Sequence, residues 1–267
     1  MGTGAIELST LDLFIAVILV LIAGGVSLSM KLGIEGRLAL ASIRTVVQLL
    51  IVGFILKWVF GLDHPAAVGA VILVMISTAS LAAVRRPSHA FTGSLPRAFL
   101  SLFVSALFTT FVVTAIIVRV DPWYRAQYVI PLLGMILGNG LTGLSLCMDY
   151  FLETVAERSA EIDMELALGA SKWEAARSPM RRAIRRGMIP IINTMMVAGI
   201  VSLPGMMTGQ ILQGANPLNA VKYQIVVMFM IGASTSLSSI AMALLIFKRV
   251  FTAHHQLQRE LVYRRHK

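Results

Sequence analysis

Runs of about 20 apolar residues recur along this 267-residue chain, and they restrict its fold more than any other feature. A run of that length crosses a hydrocarbon core of roughly 30 Å as a helix that satisfies its own backbone hydrogen bonds. With 57% hydrophobic and 13% charged residues, the chain has too few polar side chains to cover a soluble globule. We therefore predict an all-α, polytopic membrane protein with about seven transmembrane helices, over 11–30, 38–60, 66–84, 98–118, 128–148, 188–212 and 224–247.

The basic residues indicate how these helices are oriented. Most of the 23 Lys and Arg residues fall in the loops after the first, third and fifth predicted helices or after the last one. Because positive charge is retained on the cytoplasmic side, this bias places the N-terminus outside and the C-terminus in the cytoplasm of a multi-pass protein of the cell's inner (plasma) membrane. We interpret the net charge of +10 as the same topological signal and expect no nucleic-acid partner. Residues 1–247 then form a single transmembrane domain with a cytoplasmic loop over 149–187, and residues 248–267 form a basic cytoplasmic tail.

Several classes of chemistry are excluded by motifs that the sequence lacks. No G-x-x-x-x-G-K-[ST] phosphate loop occurs, so the chain does not bind and hydrolyse ATP by that route, and no H-E-x-x-H zinc motif occurs. Cys147 is the single cysteine, which rules out an intrachain disulfide. The last predicted helix has no internal lysine that could carry a retinal Schiff base. We therefore expect a protein that is not an enzyme and that binds no cofactor itself.

One polar pair lies within the second predicted helix. Arg44 and Gln48 are four residues apart and share one helix face, and an arginine at the centre of a membrane costs about 2.5–3.5 kcal/mol unless it is paired or hydrated. This face should therefore point into the protein, beside a path for solute. The alternative is that Arg44 extends to the lipid headgroups, since it lies about two turns from the cytoplasmic end. Asn139, in the fifth predicted helix, likewise needs a partner in the protein or in a wet cavity.

The run over 188–212 is the least regular of the seven, because Pro190, Pro204 and three glycines interrupt it. Non-helical backbone at membrane depth is tolerated only where it is buried or lines a water-filled path, so we predict that this run forms part of a translocation path. Its methionines carry soft thioether ligands that suit copper(I), but methionine also fills apolar space, so the metal ligands stay unknown. The residues predicted to line the path are Arg44, Gln48, Asn139, Pro204, Gly205, Met206, Met207 and Gln210.

A charged amphipathic segment, residues 161–177, separates the fifth and sixth apolar runs. It carries acidic residues first, then Gly169-Ala170-Ser171, then a basic stretch that reaches Arg186. A helix lying on the bilayer is one interpretation, but the acidic residues disfavour it because anionic headgroups would repel them. The other interpretation is a docking surface for a soluble partner.

This segment resembles the EAA loop of ABC-transporter permeases, in which a short cytoplasmic helix followed by Gly-Ala-Ser docks in a groove of a partner ATPase. Asp163 stands where that family has glutamate, and Gly169 follows at the family's spacing. The sequence departs further along, where Arg181 and Arg182 replace the usual Leu-Pro. The resemblance implies a set of ATPase-coupling residues, namely Asp163, Glu165, Leu168, Gly169, Ala170, Ser171 and Trp173.

Longer stretches resemble the FetB-type permeases, a family associated with iron export, whose plant relatives are half-transporters linked to aluminium tolerance. The resemblance implies a permease subunit that forms a homodimer in the membrane and is driven by a separate cytoplasmic ABC ATPase, which binds the ATP and Mg. The cargo that it implies is iron or another metal ion. Two alternatives stay open: an ABC permease for a non-metal solute such as a nucleotide sugar, and a stand-alone channel or sensor. The similar stretches are residues 44–50, 131–143, 165–175 and 202–210.

Overall fold

Helices form nearly all of the regular structure. The computed structural model describes residues 9–62 and 64–264. A π-helical turn, Val112–Ile117, extends the fourth helix, and a 3-10 turn, Arg259–Leu261, precedes the last strand. Two short antiparallel strands are β1 (His89–Phe91) and β2 (Val262–Arg264). The helices are α1 (Thr10–Ser29), α2 (Glu35–Leu62), α3 (Pro65–Arg85), α4 (Ser94–Phe111), α5 (Ala126–Glu157), α6 (Ser159–Ala167), α7 (Lys172–Val197), α8 (Gly205–Leu212) and α9 (Pro217–Val250).

The predicted membrane helices are largely confirmed. Within the described residues, six helices are long and apolar enough to cross a bilayer, and they correspond to the predicted first five runs and the last one. The run over 188–212 differs, because it is not one continuous helix. The predicted count of about seven is therefore supported roughly, by six continuous helices and one interrupted run.

The interrupted run combines two helix ends and the irregular backbone between them. Helix α7 ends at Val197, and α8 begins at Gly205 after Pro204, whose extended backbone cannot continue a helix. Gly199 lies between them at φ +83°, in the left-handed region that favours glycine. The predicted irregularity is confirmed at Gly199 and Pro204, which lie in the break, and at Gly205, which begins α8. Pro190 and Gly209 do not interrupt the run, because they lie inside α7 and α8.

The centre of the molecule is the crossing of α5, α7 and α9. At this crossing the backbones of α5 and α7 almost touch, since a Cβ on Gly187 would lie 2.6 Å from the carbonyl oxygen of Gly143. Ser239 of α9 packs against the same contact, because its Oγ lies 3.0 Å from the position of a Cβ on Gly187. Small residues allow such close approach in membranes, where van der Waals packing replaces the hydrophobic effect between helices. The core therefore depends on two glycines that no larger residue can replace without movement.

Helices α1 and α2 form a peripheral hairpin. Val59 is the buried residue of α2, and the most apolar stretch of that helix contains no buried residue. The turn between the two helices is tied by Ser27, whose Oγ donates to Glu35 Oε2 at 2.9 Å. A single chain thus leaves a large apolar face uncovered.

The C-terminal residues fold back onto the cytoplasmic side instead of forming a separate tail. Helix α9 runs through residues 248–250, and the strand β2 then pairs with β1 in the loop between α3 and α4. Asp149, at the cytoplasmic end of α5, supports this loop by accepting hydrogen bonds from the backbone N–H groups of Ser88 and His89, at 2.8 and 3.0 Å. The carboxylate of Asp149 therefore has a structural partner in the loop.

Candidate functional site

The segment 161–177 forms a helix-turn-helix whose turn has a defined local cause. Gly169 lies at φ +96°, which ends α6 in a conformation that L side chains rarely adopt. The backbone N–H of Ala170 donates to the carbonyl of Glu165 at 3.0 Å, which satisfies one of the free carbonyls at the helix end. The glycine of the Gly-Ala-Ser motif is thus required by backbone geometry.

Ser171 then begins α7 with a capping box. Its Oγ accepts from the backbone N–H of Glu174 at 3.3 Å, and its own backbone N–H donates to Glu174 Oε2 at 2.8 Å. Hydrogen bonds from the hydroxyl and the backbone N–H of Ser171 hold the pKa of the Glu174 carboxyl below its usual value. The serine of the motif therefore fixes the direction in which α7 leaves the turn.

The outer face of this helix-turn-helix is uncovered. Ile162 is buried and Leu166 packs against the core, so these residues anchor α6 to the membrane domain. Met164 and Leu168 lie four residues apart and point away from the core; Leu168 is 81% exposed. Glu165 beside them is exposed as well. An apolar pair with an acidic neighbour is thus exposed on the outer surface of this helix-turn-helix.

Two of the predicted coupling residues already have partners within the chain. Asp163 accepts a hydrogen bond from Arg259, which lies 96 residues further along. Trp173 packs edge-on against Phe247 of α9, with ring centroids 5.5 Å apart, and remains half exposed. In this structure, therefore, Asp163 does not offer a free carboxylate to a partner protein. Its contact instead holds the C-terminal residues against α6.

The next residues of the segment are also held by the C-terminal residues. The backbone N–H of Lys172 donates to His255 Nδ1 at 2.9 Å, and its Nζ donates to the carbonyl of Thr252 at 3.1 Å. Residues 252–259 therefore hold the segment through contacts with Asp163 and Lys172. Sequence reasoning missed this contact because nothing local links residues so far apart in the chain.

The two predicted path residues of α2 lie on the surface of the single chain. Arg44 and Gln48 are both exposed, so the expectation that their face points into the protein is not met within one chain. Asn139 of α5 is partly buried, and its Nδ2 donates to the carbonyl of Met135 at 3.0 Å, within its own helix. None of these three residues lines the cavities beside α8.

Two cavities flank α8, and they bring together most of the predicted path residues of the interrupted run. One, of about 480 Å³, lies between α5, α8 and α9; Met206, Gln210 and Met135 line it together with Tyr128 and Tyr223. Because neighbouring residues of a helix point in different directions, Met207 instead lines the second cavity. Gly205, at the first position of α8, lines neither.

The second cavity, of about 430 Å³, lies against the break between α7 and α8 and against α9. Pro204 and Met207 line it, and so do Met195, Gln224 and Met228. Sequence reasoning missed Gln224 and Met228, although their spacing of four on α9 would have placed them on one face. Their approach to the interrupted run follows only from the tertiary fold.

The side-chain groups in these cavities that could contact a solute or bind a metal ion are the thioethers of Met, the carboxamides of Gln and the phenols of Tyr. Gln210 and Gln224 each have a buried Oε1 that accepts no hydrogen bond among the described residues. Across that same part of the chain, no group of three or more His, Cys, Asp or Glu side chains is placed to hold a metal ion. The site can therefore solvate a polar or soft solute but offers no carboxylate cage to a hard metal ion.

Comparison with known proteins places this architecture in a family. Residues 10–251 match the family described as UPF0014, an uncharacterised protein family. A UPF0014 membrane protein of Synechocystis is 40% identical over 85% of this chain and 87% of its own length. The Escherichia coli protein named probable iron export permease protein FetB is 32% identical over 92% of this chain and 93% of its own. Protein ALUMINUM SENSITIVE 3 of Arabidopsis thaliana is 32% identical over 91% and 88%, respectively.

No solved structure matches the chain. The match to the family extends from α1 to the residue after α9, so it includes the membrane helices, the segment 161–177 and the interrupted run. The resemblance to FetB-type permeases is thereby confirmed over the whole membrane domain. The chain therefore belongs to the UPF0014 family, and its apolar helices agree with the naming of several relatives as membrane proteins.

Proposed function

We propose that this chain is the transmembrane subunit of an ABC transporter of the cell's inner membrane, which exports iron or another metal ion and is driven by a separate cytoplasmic ATPase. The observation that carries the proposal is the helix-turn-helix over 161–177, which presents Met164 and Leu168 to the cytoplasm on a rigid capped turn. The name of the Escherichia coli relative supports the cargo and the direction of transport. The chain then contributes the path, and its partner contributes the ATP site.

The geometry gives this turn a way to move the membrane helices. Helix α7 starts at the turn and reaches the interrupted run without leaving the helical conformation. A partner that closes on ATP and displaces the turn therefore displaces the wall of the cavity that contains Met195. Such motion would open the path alternately to the two sides of the membrane, as in other transporters with broken helices.

A second copy of the chain completes this proposal. Helices α1 and α2 are uncovered in the single chain, and Arg44 lies on the exposed surface of an apolar helix. An arginine in lipid costs about 2.5–3.5 kcal/mol, whereas a second chain or an enclosed wet path would compensate it. We place the homodimer contact on this hairpin. Cysteine introduced at Gln48 in a Cys147→Ser background should cross-link two chains in membranes, and a product that stays monomeric would contradict this placement.

The coupling role is tested by the co-purification of an ATPase. Leu168→Glu places a charge on the uncovered apolar pair and should remove the ATPase from the purified complex, because that side chain contacts nothing in its own chain that the change could disrupt. Leu218→Glu is the matched control, since Leu218 is 72% exposed but lies at the opposite end of the membrane domain, at the start of α9.

Both variants should insert into membranes and elute as the native protein does. Loss of the ATPase from the Leu168 variant alone supports docking at this helix. Equal ATPase recovery from both variants, or nucleotide-independent transport by the purified chain, would instead favour a stand-alone channel.

A further inference from the structure

We infer that the cavity beside the break between α7 and α8 is a binding site for a soft monovalent cation, copper(I) or silver(I). Three thioethers reach this cavity from three different helices: Met195 from α7, Met207 from α8 and Met228 from α9. Thioether sulfur is a soft ligand that selects copper(I) over hard cations.

The positions on α9 show which face of this helix the sulfur of Met195 approaches. Gln224, Met228 and Gly232 follow one another at intervals of four residues and so lie along one face of α9. A Cβ added to Gly232 would lie 3.4 Å from the Sδ atom of Met195. The sulfur of Met195 therefore lies against α9 one turn from Met228.

The side chain of Gln224 gives a second observation, separate from the methionines, that points to a bound ligand in this cavity. The residue is only 7% exposed, and its Oε1 accepts no hydrogen bond among the described residues. A buried amide without a partner costs about 1–3 kcal/mol, which native proteins seldom leave uncompensated. A cation in the cavity that Gln224 lines would give this carboxamide a partner.

The absence of negative charge from the cavity lining decides the charge of the ion. Among the residues that the structure describes, no Asp or Glu lines this cavity. The cost of transferring an ion from water into a medium of low dielectric constant rises with the square of its charge, and no carboxylate is present here to offset it. Trivalent iron or aluminium would thus be both too hard and too highly charged for this lining, whereas a monovalent soft ion matches it.

This inference rests on the proposed function in one respect, because it treats the cavity as part of the translocation path. Binding of the cation to the purified chain requires neither nucleotide nor ATPase. The purified full-length protein, in detergent and chloride-free buffer, is dialysed against silver nitrate, and bound silver is measured by mass spectrometry. We expect about one equivalent of silver bound tightly, because one cluster of thioethers is available at this site. Iron(II), measured in parallel without oxygen, should bind at least about tenfold more weakly.

Substitution locates the ion. Met207→Leu and Met228→Leu keep nearly the same side-chain volume, and each should weaken silver binding at least about tenfold. Met196→Leu is the matched control, since Met196 follows Met195 in the same helix but is 72% exposed and lines neither cavity; its binding should be unchanged.

Silver binding that is absent, or that is equal in all three variants, overturns the inference. Tighter binding of iron(II) with the same sensitivity to substitution also overturns it, in favour of a harder cargo. Neither result bears on whether an ATPase co-purifies, so the proposed function is judged separately.

Discussion

If the chain works with an ATPase as proposed, Gly169→Ala should uncouple the two proteins without unfolding the membrane domain. The backbone of Gly169 lies at φ +96°, and nothing lies within 4 Å of a Cβ added there. The whole penalty is therefore backbone strain, which we place at about 1–3 kcal/mol for a residue with a side chain in this region. At 1.4 kcal/mol for each factor of ten, the native turn becomes about 5- to 150-fold less populated relative to distorted forms.

The assay is titration of reconstituted permease with the purified ATPase, following both binding and stimulated ATP hydrolysis. Gly69→Ala is the matched control, because a Cβ at Gly69 also meets nothing within 4 Å, but that residue lies inside α3 without a positive φ. Alanine is favoured over glycine by about 0.5–1 kcal/mol inside a helix, so the control should bind the ATPase as the native chain does. If the Gly169 variant bound and stimulated the ATPase equally well, the conformation of the turn would not be what the partner recognises.

Two further substitutions test the contact between α5 and α7 and the contact between Asp163 and Arg259. Gly187→Ala should destabilise the core by about 1–3 kcal/mol, because its Cβ would approach the carbonyl oxygen of Gly143 to 2.6 Å; an unchanged melting temperature in detergent would show that α5 and α7 can separate freely. Arg259→Asp should expose the C-terminal residues to protease while changing global stability by only about 0.2–1 kcal/mol, since the pair is largely exposed. The double exchange Asp163→Arg with Arg259→Asp should restore protection, and failure to do so would assign the effect to packing.

The membrane helices could be predicted because they depend on length and hydropathy, which are local properties. The break in the run over 188–212 was also readable, since Gly199 and Pro204 act on their own backbone. The same is true of the turn at Gly169 and the cap at Ser171, whose hydrogen bonds join residues a few positions apart.

What the sequence did not reveal depends on contacts between distant residues. Asp163 and Arg259 are 96 residues apart, and β1 and β2 are three residues each, too short to carry a strand signal. The exposed position of Arg44 has a different cause, because a helix pattern shows which residues share a face but not whether that face meets its own chain or a second one. The cavity residue Gln224 was missed for the same reason, since its neighbours come from other helices.

The glycine contact between α5 and α7 makes α7 a lever. At 1.5 Å per residue, the arm from the capped turn at Ser171 to the fulcrum at Gly187 is about 24 Å long, and the arm from there to Ala198 is about 16 Å. If α7 turns as a rigid rod, a shift of about 3 Å at the turn moves the cavity wall by about 2 Å in the opposite direction. Pro179 lies on the longer arm and Pro190 on the shorter arm; both lack a backbone donor, so these are the two positions where the helix would lose stiffness. In such a rotation, the position of Gly187 along α7 would set the ratio between the displacement at the turn and the displacement at the cavity wall.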